Sequence, residues 1–280
     1  MFVPDGGASF EWSETNHKTR PTGFMGVVCT PAQNAKSGSW AQILTASDVA
    51  NDVYLIHINI NNAAISTVAR DIIMDVGVDE AGGTSYTLKI ADLIGSCAGT
   101  NNGSGGINYI FPLYIKAGST VACKASVNAS NLGGFRIWAK IYGRPRNLAA
   151  IRRGCRVETL GIVAASSRGT LVTPGTTNEG AWTLIGTTTQ DGWWIQAGMG
   201  VNDATMASVC YLLDVAIGSN GEVPLITNQL WISNSVETHS SALYIPCEKF
   251  IPAGSPIYAR LWCEGTADAN TSVAVYILGG

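Results

Sequence analysis

Charge is what this sequence has least of: 13% of its 280 residues are Asp, Glu, Lys or Arg, and the formal net charge is −3. So weak a charge gives no overall field with which to gather nucleic acid or an anionic membrane surface, and neither is expected as a partner. Uninterrupted apolar runs of about 20 residues are missing too, which excludes a membrane-spanning helix. The amino terminus, MFVPDGGASFEWSETNHKTRPTG, is acidic and polar where a secretory leader has a basic start and an apolar run. No signal peptide is expected, and folding is placed in the cytoplasm.

Chemistry is equally sparse. His17, His57 and His239 are too few and too scattered for a zinc site. There is no G-x-S-x-G elbow, no H-E-x-x-H and no P-loop. No enzyme, cofactor or metal is expected. The seven cysteines form no C-x-x-C pair, and an odd number cannot all be bridged within one chain, so free and mostly buried thiols are expected. Asp75 and Asp214, with Asp79, Glu80 and Glu222 nearby, do not match the spacing of a calcium loop. Hydrogen bonding of turns is the reading for them. The sequons at Asn102, Asn128 and Asn270 are read as coincidence in a chain without a leader.

What is present is alternation. In VYLIHININ the residues Tyr54, Ile56, Ile58 and Ile60 are apolar while His57, Asn59 and Asn61 turn the other way; in FRIWAKIYG, Phe135, Ile137, Ala139 and Ile141 share a face. A period of two marks half-buried strands. Between them lie NNGSGG, NLGG, GSNGE and DGWW, the punctuation of turns. Helical periodicity is nearly absent, so the fold class is all-β.

One phrase occurs twice. FIPAGSPIYARLWC at 250–263 echoes YIKAGSTVACKASV at 114–127, and the same shift of 136 lays VAVYILG at 273–279 on IWAKIYG at 137–143. Upstream the shift grows: Tyr54, Ile56, Ile58, Ile60 and Asp75 meet Trp193, Ile195, Ala197, Met199 and Asp214, GVVCTP meets GTLVTP, and Trp40 meets Trp182. Order, spacing and face agree, which predicts an internal duplication. The shrinking shift is assigned to extra residues in CAGTNNGSGG at 97–106. Gly118 and Gly254 are expected at positive φ in a tight reversal. Val121, Cys123 and Ala125, and likewise Ile257, Ala259 and Leu261, are expected to face the core.

The predicted organisation is an amino-terminal arm over 1–21, a first β-sandwich over 22–143, an arginine-rich linker over 144–164 and a second sandwich over 165–280, both jelly-roll-like. Five of the 17 basic residues, Arg144, Arg146, Arg152, Arg153 and Arg156, fall in the linker. The arm carries Phe2, Phe10 and Trp12 among polar residues, too few apolar groups for a core of their own. These eight residues are the candidates for contacts between subunits.

With IPAGSPIYARL, closing strands such as VAVYILGG and a Ser-, Thr-, Asn- and Gly-rich, low-charge composition, the whole resembles all-β structural proteins of tailed bacteriophages that decorate heads or build tails. The resemblance implies a noncatalytic virion subunit, folded in the host cytoplasm, homo-oligomeric, and partnered by other virion proteins and copies of itself. Two-jelly-roll major capsid proteins of tailless viruses are also duplicated, but at about 115 residues per copy this chain is smaller than they usually are. The alternative is a tandem carbohydrate-binding module. Eight tryptophans, with Trp193 beside Trp194, would supply its stacking platforms, although burial or a subunit interface is the expectation for them.

Overall fold

FRIWAKIY becomes a strand whose apolar members Phe135, Ile137, Ala139 and Ile141 are buried while Arg136, Trp138, Lys140 and Tyr142 are half-buried. The period-two pattern is thus met by a ladder packed on one face. The computed structural model describes residues 13–15, 26–36, 39–61, 70–97, 107–127, 135–144, 154, 156–164, 169–201, 209–234, 237–240, 250–265 and 271–279, and among them there is no helix.

The first half supplies ten strands: Ser13–Thr15 (β1), Val27–Cys29 (β2), Ala32–Gln33 (β3), Ala41–Leu44 (β4), Leu55–Asn61 (β5), Arg70–Asp79 (β6), Thr87–Cys97 (β7), Ile107–Phe111 (β8), Thr120–Val127 (β9) and Phe135–Tyr142 (β10). The second half supplies Arg156–Leu160 (β11), Thr170–Leu171 (β12), Thr183–Thr187 (β13), Gly192–Val201 (β14), Val209–Ile217 (β15), Val223–Asn234 (β16), Glu237–Ser240 (β17), Pro256–Cys263 (β18) and Thr271–Gly279 (β19). They form four sheets. In the first, β1 and β2 both pair with β10, followed by β5 and β8; in the second, β3 and β4 pair with β9, followed by β6 and β7. The third joins β11 and β12 to β19 and then β14, and the fourth runs β13-β18-β15-β16-β17. Pairing between named strands is antiparallel except for β3 on β9.

The registers repeat. Ile72 stands opposite Val127 as Tyr211 stands opposite Cys263. Arg136 faces Asn61 as Ser272 faces Gly200, and Ala41 faces Cys123 as Thr183 faces Ala259. Even the irregularities coincide: β4 bulges between Gln42 and Leu44 and β13 between Leu184 and Gly186, while β6 slips after Met74 and β15 after Leu213. A bulge is tied to one position by its neighbours, so matching bulges mean matching surroundings. Gly118 and Gly254 take φ of 78° and 81°, as the repeated turn predicts, and an added Cβ would meet nothing within 4 Å at either. Conformation alone selects glycine there.

The offset falls from 139 to 136 in the turn between β6 and β7, because Ile72 aligns with Tyr211 on one side and Gly95 with Trp231 on the other. Three extra residues lie there, three more lie between β4 and β5, where the offset falls from 142 to 139, and none is assigned to 97–106, since the offset is 136 on both sides of it. Asp79 stabilises the longer β6–β7 turn by accepting the Ala81 and Ser85 amides at 2.8 and 2.7 Å. Two strands also lie in segments the sequence places outside the repeats. Ser13–Thr15 is in the arm and Arg156–Leu160 in the linker, and each adds to the sheet edge beside β2 or β12.

Side chains from all four sheets form one continuous core. Cys123 is buried beside Cys29, and burial, helped by that neighbouring thiol, pushes its pKa well up. Cys29, Cys123, Cys210 and Cys263 are free thiols.

Candidate functional site

Of the contact candidates, Phe2, Phe10, Trp12, Arg146, Arg152 and Arg153 lie outside the described residues. Arg144, just after β10, and Arg156, at the start of β11, are exposed. The constellations that the fold builds lie elsewhere.

The first is written twice. Where β6 slips past β7, Asp92 takes φ of 60°, and where β15 slips past β16, Asn228 takes 51°. Each presents its amide to the aspartate of the adjacent strand: Asp92 N–H to Asp75 Oδ1 at 3.1 Å and Asn228 N–H to Asp214 Oδ1 at 2.7 Å. Asp and Asn tolerate the left-handed region best among residues with a side chain. The cation differs. Arg260 donates Nε and Nη2 to Asp214 Oδ2 at 2.9 and 2.8 Å while its guanidinium lies 4.6 Å from the Trp182 ring centre. In the first half Lys124 lies 4.8 Å over Trp40, and a second lysine, Lys36, bridges Asp75 and Asp92. A planar guanidinium can stack and bond a carboxylate at once, whereas an ammonium does one or the other, so two lysines replace one arginine. These aspartates hold bulges, which agrees with turn bonding. Among the described residues no group of three His, Cys, Asp or Glu stands close enough to share an ion.

This difference has a measurable consequence. Burial raises the Asp92 pKa above the usual carboxylate value, with Lys36 opposing and Asp75 adding to the shift. A carboxyl raised in the folded state binds its proton more tightly there than in the unfolded chain. Its contribution is therefore present below the unfolded pKa and lost as pH rises through the folded one. Asp92→Asn copies Asn228 and keeps the tolerated backbone, so its stability should fall less between acid and neutral pH than that of the parent. Denaturant midpoints across that range measure the slope; an unchanged slope would remove Asp92 as its source.

The second constellation joins the halves. β7 is an edge strand, and its open backbone groups are met by tyrosines instead of another strand. Tyr276 Oη accepts the Ile94 amide at 2.8 Å and donates to the Asp92 carbonyl at 3.0 Å, while Tyr109 Oη donates to the Ile94 carbonyl at 2.6 Å. The two rings meet edge to face at 5.3 Å. Burial raises both phenol pKa values. On β8, Ile110 gives its amide to Gln196 Oε1 at 3.0 Å and takes Trp194 Nε1–H at 3.1 Å. Thr159 Oγ1 donates to the Ala91 carbonyl at 2.6 Å. An exposed edge is a template for foreign strands; here the chain covers its own.

The third is the outer face of the first sheet. His57 bonds Asn108 Oδ1 at 2.9 Å, Asn59 donates to the same oxygen at 2.9 Å, and the Trp138 ring stands edge-on to His57 at 5.0 Å. Burial lowers the His57 pKa, the Asn108 bond opposes this and Lys140 adds to it. Lys140 also lies 5.1 Å over Tyr142. Among the described residues, His57 with Trp138, and Tyr54 with Tyr114, are close to perpendicular, the stacked rings of Tyr109 and Phe111 are fully buried, and cations lie over Trp40, Trp182 and Tyr142. Trp194 points away from its own half and is buried against the first, while Trp193 is half-buried.

Lys36, Asp92, Tyr109 and Tyr276 were not marked by any motif. The repeat carried the usable signal, since its offset pairs Lys124 with Arg260 and Asp92 with Asn228. No protein-family model and no curated protein matches the sequence. Among solved structures, a crystal structure of tripeptidyl peptidase 2 (TPP II) aligns at 12% identity over 96% of this chain and 23% of that one, with a TM-score of 0.26, too low for any argument about fold or activity.

Proposed function

We propose that this chain is a noncatalytic virion structural protein made of two tandem jelly-roll sandwiches derived by duplication, working through contacts with copies of itself and with other virion proteins. The observation that carries the reading is the strand order. β2-β10-β5-β8 and β4-β9-β6-β7 follow the strand order of a jelly roll's two sheets, and β12-β19-β14 and β13-β18-β15-β16 follow it again, with the counterpart of β8 lying outside the described residues. Viral capsid proteins, lectins and cupins use this architecture. Fold alone does not choose among them. The polar residues support the first: aspartates hold bulges, tyrosines seal an edge and cations cover tryptophans, so the chain spends its polar groups on rigidity. The low surface charge supports a protein that works covered by neighbours.

Light scattering and negative-stain microscopy of the purified full chain test this. Concentration-dependent assemblies are expected, weakened when residues 1–22 are deleted and the linker arginines are replaced by serine. A chain that stays monomeric and binds oligosaccharides at micromolar affinity would overturn the reading in favour of the carbohydrate-binding module.

A further inference from the structure

Two of the buried thiols stand level with each other inside the first sandwich. β3 runs parallel beside β9, with Ala32 opposite Ser126 and Gln33 opposite Val127. Cys29 and Cys123 each lie three residues upstream of the Ala32 and Ser126 pair. Between Cys29 and Ala32 the chain steps from one sheet to the other, since β2 belongs to the first sheet and β3 to the second. Level residues on neighbouring strands are about 5 Å apart, and a disulfide joins Cα atoms about 4–7 Å apart. Cys29 and Cys123 are 2% and 0% exposed, and Cys123 feels the Cys29 thiol as it ionises.

The second half shows that packing does not call for cysteine at this juncture. Gly175 bridges Trp262 in parallel, as Ala32 meets Ser126. Three residues upstream of that bridge stand Val172 and Ala259, both fully buried. The same place is thus filled once by a valine and an alanine and once by two thiols. A free cysteine packs as a small hydrophobe, so either pair fills it, but only the thiols can be joined. Cys210 and Cys263 offer no such pair, because Tyr211 stands opposite Cys263 and Cys210 turns to the other face.

We propose that Cys29 and Cys123 form a latent cross-sheet disulfide, reduced while the chain folds and closed when the folded protein meets a small-molecule disulfide, tying together the two sheets of the first sandwich. One protein thiolate attacks a sulfur of the small disulfide and releases the first small thiol. The second protein thiol gives up its proton, attacks the mixed disulfide and releases the other. The two cysteines are oxidised by two electrons in all, and the small disulfide is reduced to two thiols, which take up the protons. Burial makes the resting pair slow to ionise and to react. β2, three residues long and hydrogen-bonded to β10, is the piece that must open first. Once closed, the bond constrains a loop of about 95 residues in the unfolded chain. The chemistry stands apart from the assembly reading, which supplies only the setting: a particle subunit passes from a reducing cytoplasm to an oxidising exterior.

The test is to expose the reduced full chain to oxidised glutathione under native conditions, alkylate the remaining thiols in denaturant and map tryptic peptides by mass spectrometry. Lys36 and Lys116 separate the two cysteines, so the bond shows as the peptide carrying Cys29 linked to residues 117–124. That linked peptide is expected, and the urea midpoint should rise by about 1 M over the reduced chain. Cys29→Val combined with Cys123→Ala copies Val172 and Ala259, and should show no rise with oxidised glutathione. Cys29 and Cys123 recovered alkylated, or carrying glutathione without a link, would overturn the proposal. So would a linked chain whose midpoint stays put, or an equal rise in the double variant. Each of these results leaves the assembly reading standing, since light scattering tests that separately.

Discussion

Tyr276→Ala should cost about 3–5 kcal/mol of stability, the range for removing a large buried side chain. Its ring packs edge-on to Tyr109 and Phe111 at the seam between the halves, at 5.3 and 6.3 Å. Truncation opens a cavity there and also strips the Ile94 amide and the Asp92 carbonyl of their partner. Tyr276→Phe separates the two effects. It keeps the packing and should lose only about 1–3 kcal/mol, the cost of leaving buried polar groups unsatisfied. Equilibrium denaturation followed by tryptophan fluorescence reads both. Because the core is continuous across the seam, the parent should unfold in one transition. A Tyr276→Ala loss no larger than that of Tyr276→Phe would mean that packing of this ring contributes little to the stability of the seam.

The other large effect is expected at Asp214. Asp214→Ala takes the carboxylate from Arg260, leaves it Glu179 at 3.7 Å among the described residues, and leaves the Asn228 amide uncapped at positive φ. Breaking a buried ion pair from one side costs several kcal/mol; because Arg260 is partly open to water, about 2–3 kcal/mol is expected here. Asp214→Asn should lose less, since its amide oxygen can still accept from Asn228. Asp75→Ala should cost less again, because Lys36 keeps Asp92 as a partner. Urea midpoints of the three variants give the order, and an Asp75→Ala loss exceeding that of Asp214→Ala would refute the account of one arginine replacing two lysines.

Much of this was readable in the chain itself. Alternation placed Ile56, Ile58 and Ile60 inward with Phe135, Ile137, Ala139 and Ile141, because period two is set by backbone geometry alone. The repeated Ala-Gly-Ser predicted positive φ at Gly118 and Gly254, since a tight reversal is a local matter. The all-β class and the recurrence of elements in the same order followed from the same local rules.

What only the tertiary structure decided is what covers each face. VAVYILG reads like IWAKIYG, yet β19 is buried on both sides and β10 on one, because the first half lies against β19. Nothing local announces that Tyr276 will cap Ile94, 182 residues away. Ser13–Thr15 and Arg156–Leu160 looked like arm and linker for the same reason: a short edge strand takes its hydrogen bonds from a distant neighbour and needs little pattern of its own. The arginine cluster stood out by composition, but composition cannot say what a side chain touches; of its members, Arg144 and Arg156 are placed, both exposed. Periodicity fixes which residues share a face, while the partner of that face is set by long-range packing that leaves no local trace.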